Sequence, residues 1–229
     1  MTRPVDLVVF DMIGTTIAAS DKIPEAFAQA FDAERIALSP ADIRAVRGRS
    51  KVDAIRELLT AHRDAAFADN KTPTVYAAFK CFLLDCYRSG PLQPIDGAAE
   101  TFAWCRSNDI GVTLTTGFDR DLATLLVDRL DWNDAIDALV CNDDVAAGRP
   151  APDLILAAMR RRQVTDVARV ASVGDTVSDL EAGANAGTGF NVGVLSGAHS
   201  REQLAAAPHT ALIASVADLP ALLQGADIT

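Results

Sequence analysis

Val8-Val9-Phe10-Asp11-Met12-Ile13-Gly14-Thr15-Thr16 is an apolar run that stops abruptly at a carboxylate and continues into a glycine and two hydroxyls. Such a run predicts a buried strand at about Val5 to Phe10 with Asp11 just past its C-terminal end, the edge at which open α/β sheets bind ligands. Facing a phosphoryl group there, Asp11 is placed to attack it. Gly14 lets the backbone approach closely, and Thr15 and Thr16 offer hydroxyl donors. Taken alone, the segment reads equally well as an acidic strand-to-loop turn.

Working outward, helical periodicity fits Pro24 to Ile36, Lys51 to His62 and Pro73 to Tyr87. These segments predict a small helical cap, residues 17–90, inserted after the first strand. Its hinges are expected at Thr16 to Ile23 and Ser89 to Pro94. Residues 1–16 and 91–229 are expected to form the core. After a helix at Ala98 to Arg106, strands are expected at Val112 to Thr115, Ala138 to Cys141, Val170 to Val173 and Phe190 to Val194. Helices around Asp121 to Leu130, Asp153 to Arg162 and Ser178 to Ala186 alternate with them. That alternation predicts an α/β fold, a doubly wound parallel Rossmann-like sheet with helices on both faces.

Three further patterns fall at strand ends. Thr113-Leu114-Thr115-Thr116-Gly117 offers a hydroxyl and an open backbone to a phosphate oxygen, although threonine is also an ordinary strand residue. In Gly148-Arg149-Pro150-Ala151-Pro152 two prolines stiffen a loop that carries a guanidinium. In Val173-Gly174-Asp175-Thr176-Val177-Ser178-Asp179 two carboxylates four apart suit a hard divalent cation held by oxygen ligands. The same stretch reads as an N-capped helix start with Asp175 or Ser178 capping, and the two readings are compatible.

Composition bounds the partners. The chain has 229 residues, 49% hydrophobic and 23% charged, enough for one substantial core with a smaller appended domain. A formal net charge of -10 and a pI near 4.7 argue against general affinity for nucleic acid or anionic membrane, so an anionic substrate must meet locally placed cations. Cys81, Cys86, Cys105 and Cys141 show no paired spacing and are expected to be buried free thiols in a reducing compartment, by default the cytoplasm. A removable signal peptide would take Asp11 with it, and the longest uncharged stretch, Ala182 to Ser200, is too glycine-rich and polar for a membrane span. His62, His199 and His209 show no motif context and are expected at the surface or at helix ends.

Together the four strand-end patterns resemble the haloacid dehalogenase superfamily of aspartate-nucleophile hydrolases, over almost the whole chain. Within it the chain looks most like the phosphonatase family, whose members hydrolyse phosphonoacetaldehyde. Asp11 to Thr16 resembles that family's Asp-x-Ala-Gly-Thr-Thr, and Thr115-Thr116-Gly117 its second motif. Gly148-Arg149-Pro150 carries arginine where most of the superfamily has lysine, and Gly174 to Asp179 matches Gly-Asp-Thr-Val-Ser-Asp.

The resemblance implies that Asp11 is the nucleophile and that Mg2+ is held by Asp11, Asp175 and the Ile13 carbonyl, with Asp179 supporting. It implies that Thr116 and Arg149 hold phosphoryl oxygens, with Gly14, Thr15 and Gly117 lining the phosphate site. Standard phosphatases of the superfamily carry a second aspartate two residues after the nucleophile, which protonates the leaving alkoxide and later activates water. Ile13 can do neither. In phosphonatase that position is alanine, because the leaving group is a carbon stabilised through a Schiff base to a cap lysine. Gly48-Arg49-Ser50-Lys51-Val52-Asp53 resembles the lysine segment, with Lys51 in the lysine's place. There Ser50 reads as an N-cap with Asp53 its N3 partner. Lys51 then falls in a first helical turn where the macrodipole, Arg47 and Arg49 disfavour an ammonium, and Arg47 and Arg49 are themselves expected to bind substrate. The family's histidine three residues further on is Ala54 here.

Carbon-phosphorus cleavage in a small aldehyde or ketone phosphonate is the leading expectation. A phosphomonoesterase for a small phosphorylated metabolite such as a phosphoglycolate-like compound is the second, and a non-catalytic phosphate-binding regulator the third. The family's dimerisation through the cap is carried over as an expectation only.

Overall fold

The computed structural model describes residues 5–225, so the outermost ends of the expected core, residues 1–4 and 226–229, lie outside the described residues. After β1 (Leu7–Asp11) the chain forms α1 (Lys22–Asp32), α2 (Pro40–Ala45), α3 (Lys51–His62) and α4 (Ala65–Ser89). It continues as α5 (Ala98–Ser107), β2 (Gly111–Thr115), α6 (Arg120–Arg129), β3 (Ala138–Val140), α7 (Asp153–Arg162), β4 (Val170–Gly174), α8 (Val177–Ala186) and β5 (Phe190–Val194). It closes with α9 (Arg201–Ala205), β6 (Ala211–Ile213) and α10 (Leu219–Leu223). Two compact units result, one from the segments up to Ala19 and from Leu92 onward, the other from Ser20–Pro91.

In the helical unit α3 and α1 both pack along α4, where Phe27 and Phe79 bring their ring centroids to 4.7 Å. The expected first helix begins two residues earlier than its proline suggested. Pro24 sits in the first turn of α1, where the missing N–H would have no partner anyway. The expected helix from Pro73 is the second half of α4. Pro73 lies inside that helix on its exposed side, while Ala68, Thr72, Val75, Phe79 and Leu83 form the buried stripe on the other. Burying that stripe, at about 1.5–3 kcal/mol per large apolar side chain, offsets the helix hydrogen bond that proline removes. Cys81 falls on the exposed face of α4 and Cys86 is half-buried, so only Cys105 and Cys141 are the buried thiols expected; all four are free.

The core is a six-stranded, wholly parallel sheet in the order β3-β2-β1-β4-β5-β6. Helices cover both faces, as the alternation of side chains along β1 illustrates. Leu7 and Val9 join Leu154, Ile155, Ala158 and Met159 of α7 on one face. Phe10 meets Phe102 of α5 edge-on at 5.3 Å on the other, and Phe102 in turn meets Trp132 at 5.1 Å. β6 and α10 escape sequence periodicity because they are only a few residues long. The register sets Asp11 opposite Thr115 of β2 and Phe10 opposite Val173 of β4, so three neighbouring strands end level. Strand order reverses between β1 and β4, the position at which such sheets open a crevice at their carboxyl ends. No helix among the described residues is long and apolar enough to cross a membrane.

Candidate active site

Asp11 is the last residue of β1 rather than the first of the loop, and its side chain is buried. Beyond it the chain turns tightly. The Met12 carbonyl accepts from the backbone N–H of Thr15 at 3.2 Å, Thr16 at 2.9 Å and Ile17 at 2.8 Å. Gly14 holds φ at +98°, and a Cβ there would stand 2.3 Å from Asp175 Oδ2, so both the conformation and the close approach require glycine. The Thr15 hydroxyl donates to Asp175 Oδ1 at 3.1 Å and the Thr16 hydroxyl to the Asp11 carbonyl at 3.0 Å. These hydroxyls brace the loop after β1 and tie it to the loop after β4.

Asp175 follows β4 directly, and α8 begins two residues later. Its N-cap is neither Asp175 nor Ser178, as the sequence suggested, but Thr176, which exchanges hydrogen bonds with Asp179 in a capping box. Asp179 Oδ2 accepts from the Thr176 N–H at 3.0 Å and its hydroxyl at 2.5 Å. That arrangement turns the other oxygen, Asp179 Oδ1, toward the site. The cap leaves Asp175 free for other work.

Arg149 is buried and reaches all of this from the loop before α7. Its Nη1 donates to Asp11 Oδ1 at 2.6 Å, its Nη2 donates to the Thr115 hydroxyl at 2.8 Å, and its Nε lies 2.9 Å from Asp179 Oδ1. Thr115 belongs to the second motif, in which the sequence assigns a role to Thr116 and Gly117 only; its hydroxyl is the one that meets Arg149. Thr116 is buried one residue beyond it, and its hydroxyl accepts from the Phe118 N–H at 3.1 Å, which leaves its own proton for another acceptor. Gly117 follows it, half-buried.

The electrostatics of the site are dominated by three carboxyl groups that could hold a cation. Asp11, Asp175 and Asp179 are all buried and offer carboxylate oxygens within 4.8 Å of one another. Burial pushes the Asp11 carboxyl up to about 6, with Arg149 opposing and Asp179 adding to the rise. Asp175 goes up to about 8, through burial first and then the neighbouring charges of Asp11 and Asp179. Burial opposes the charge on Arg149, but Asp179 and Asp11 outweigh it and keep the guanidinium firmly protonated. With all three carboxyl groups ionised against one guanidinium, two negative charges remain, which a divalent ion would neutralise. Asp179 Oδ1 is buried and accepts no well-formed hydrogen bond. An all-oxygen donor set with that imbalance fits Mg2+. A second acidic group, Cys141, Asp143 and Asp144, differs in kind: Asp144 pairs with Arg120 and Arg161, and Asp143 accepts from the Arg120 N–H.

Sequence reasoning also missed the segment after β5. Ser196 Oγ donates to the Gly14 carbonyl at 2.9 Å, and the Ala198 N–H donates to Asp175 Oδ2 at 2.7 Å. His199, expected at the surface or at a helix end, is half-buried at a helix end: its Nδ1 accepts from the Val177 N–H, 2.9 Å away at the start of α8. The signal available was Ser196-Gly197 at a strand end, the same kind of pattern as the other motifs.

Arg47, Arg49 and Lys51 belong to the helical unit. Ser50 caps α3 as expected, accepting from the Asp53 N–H, and places Lys51 in the first turn. Lys51 Nζ donates to the Arg49 carbonyl at 3.3 Å, Arg49 pairs with Glu57, and Arg47 is half-buried.

The model of the haloacid dehalogenase-like hydrolases matches residues 5–187 of the chain. Phosphonoacetaldehyde hydrolase of Bacillus cereus (strain B4264) is 31% identical over 209 residues, covering 84% of this chain and 76% of that protein. The enzyme of the same name from Hahella chejuensis is 30% identical over 202 residues, covering 83% and 68%. Among solved structures, a phosphonoacetaldehyde hydrolase like protein from Oleispira antarctica superposes with a TM-score of 0.85 at 26% identity, over 98% of this chain and 93% of that one. CbbY from Rhodobacter sphaeroides, solved with phosphate, shares the fold with a TM-score of 0.79 at 20% identity, over 94% and 96%. Sequence match, parallel sheet and the carboxylates at its carboxyl edge agree, and the chain belongs to the haloacid dehalogenase-like hydrolases.

Proposed function

We propose that this hydrolase uses Asp11 as a nucleophile, with Mg2+, to cleave the carbon-phosphorus bond of a small phosphonate aldehyde or ketone. The observation that carries the proposal is the pairing of a buried Asp11–Arg149 contact with Ile13 two residues on. Asp11 as nucleophile meets a guanidinium from the loop before α7, but its own loop carries no second carboxylic acid for an alkoxide leaving group. Identity near 30% to enzymes named phosphonoacetaldehyde hydrolase supports the same reading.

In this mechanism Arg149 and the Thr116 hydroxyl take phosphoryl oxygens, so an anionic carboxylate can approach an anionic phosphorus. Asp11, Asp175 and the Ile13 carbonyl would hold Mg2+, with Asp179 supporting; the ion supplies charge neutralisation at the phosphoryl group. Gly14, Thr15 and Gly117 shape the phosphate site. The Lys51 amine condenses with the substrate carbonyl, losing water, and Arg47 and Arg49 help to bind the anionic substrate. Asp11 attacks phosphorus, and the electron pair of the carbon-phosphorus bond moves into the protonated imine to give an enamine. Protonation and hydrolysis of the enamine release the aldehyde, and water cleaves the aspartyl phosphate to inorganic phosphate. The buried, unbridged Cys105 and Cys141 support a reducing compartment such as the cytoplasm.

A phosphomonoesterase is the second reading, favoured by Ala54. That residue lies in α3 with its side chain wholly buried, where the phosphonatase family carries a histidine. Release of inorganic phosphate from phosphonoacetaldehyde, measured beside a panel of small phosphate esters, separates the two. Turnover of the phosphonate well above every ester supports carbon-phosphorus cleavage, and turnover of esters alone rejects it.

A further inference from the structure

We infer that the segment Ser196–His199, directly after β5, is a positioning element that holds Asp175 for a divalent cation and sets the affinity of the site. The inference rests on the metal assignment proposed above. Asp175 is held from this side by two hydrogen bonds and a close backbone approach. Its Oδ2 accepts from the Ala198 N–H at 2.7 Å, its carbonyl accepts from the His199 N–H at 3.3 Å, and a Cβ at Gly197 would stand 2.1 Å from Oδ2. Only a glycine lets the segment pass so close to the carboxylate.

The same segment reaches both neighbouring loops. Ser196 Oγ bonds the Gly14 carbonyl, adjacent to the Ile13 carbonyl assigned to the metal. His199 Nδ1 accepts from the Val177 N–H, fixing the first residue of α8 and with it the turn between Asp175 and Asp179. With Thr15 on Oδ1 and Ala198 on Oδ2, both Asp175 oxygens are oriented before any ion arrives. Groups that orient a ligand in this way typically change metal affinity about 10- to 100-fold when removed.

The test is Mn2+ binding, read by electron paramagnetic resonance on the whole protein, with circular dichroism and melting in chelator as controls for folding. Gly197→Ala and His199→Leu are expected to weaken Mn2+ binding by about 10- to 100-fold while the chelated fold is kept. His199→Gln, whose amide oxygen can accept from Val177, is expected to recover most of the affinity. Ser196→Ala is expected to weaken binding less, and with His199→Leu it carries the test if Gly197→Ala does not fold. Wild-type affinity in the folded variants would overturn the inference while leaving the metal assignment standing. Wild-type protein that takes up no Mn2+ would overturn the metal assignment and the inference with it.

Discussion

Arg149 Nη1 donates to Asp11 Oδ1 at 2.6 Å while Nη2 of the same guanidinium donates to Thr115 at 2.8 Å. The planar fork, anchored also beside Asp179, explains why arginine stands where most of the superfamily has lysine. An ammonium could not meet three partners in one plane. Arg149→Lys is therefore expected to lower kcat by about 10²- to 10³-fold. Thr115→Val is expected to produce a smaller loss that nearly disappears in the Arg149→Lys background. Steady-state kinetics on the four-member cycle checks this, and additive effects would place Thr115 outside the arginine's work.

Asp11→Asn replaces the proposed nucleophile with a near-isosteric amide at a strand end that is already buried. Turnover is expected to vanish with the fold intact, and no phosphorylated protein is expected after acid quench. Wild-type rates in the variant would remove Asp11 from the chemistry.

The raised carboxyl groups give the metal-free protein a characteristic pH response. Asp175 takes a proton at about 8 in the folded chain against an ordinary carboxylate value near 3.8, so between those values the native state binds more protons than the unfolded one. Stability from this group is therefore present at low pH and is lost as pH rises toward 8. Mg2+ needs the carboxylates ionised and competes with those protons. The gain in melting temperature on adding Mg2+ is expected to grow from pH 5 to pH 8. A gain that is flat or falls over that range would contradict a metal at Asp11 and Asp175.

Ile13→Asp restores the acid that ester hydrolysis needs. Phosphate-ester turnover is expected to rise by at least about 10-fold, within the 10²- to 10⁴-fold that general acid catalysis supplies. Initial rates on a reactive and an unreactive ester check it, and the larger gain is expected for the unreactive one. No gain on either would mean that Ile13 is not what limits the ester reaction.

The residues that sequence alone brought to the site share one property: Asp11, Thr116, Arg149 and Asp175 stand where an apolar run or a stiffened loop meets a polar group. Parallel strands buried on both faces read as such runs, which is why β4 and β5 were visible. What stayed hidden works through the backbone or through a single hydroxyl. The Ala198 N–H has no mark in a sequence, and Thr115 looks like any strand threonine. Thr176 was passed over as the α8 cap because Asp175, a better-known capping type, stood beside it. In the helical unit, the packing of α4 overrode the local preference of Pro73, and α2 is too short for periodicity.

Lys51 is the residue on which carbon-phosphorus cleavage depends in this account. Incubating the protein with phosphonoacetaldehyde and borohydride, then locating the adduct by mass spectrometry, tests it most directly. A stable reduced adduct on Lys51 is expected, together with loss of phosphonate cleavage in Lys51→Arg, which keeps the charge but forms no imine. Absence of any adduct, with a Lys51→Arg variant as active as wild type, would contradict the imine mechanism.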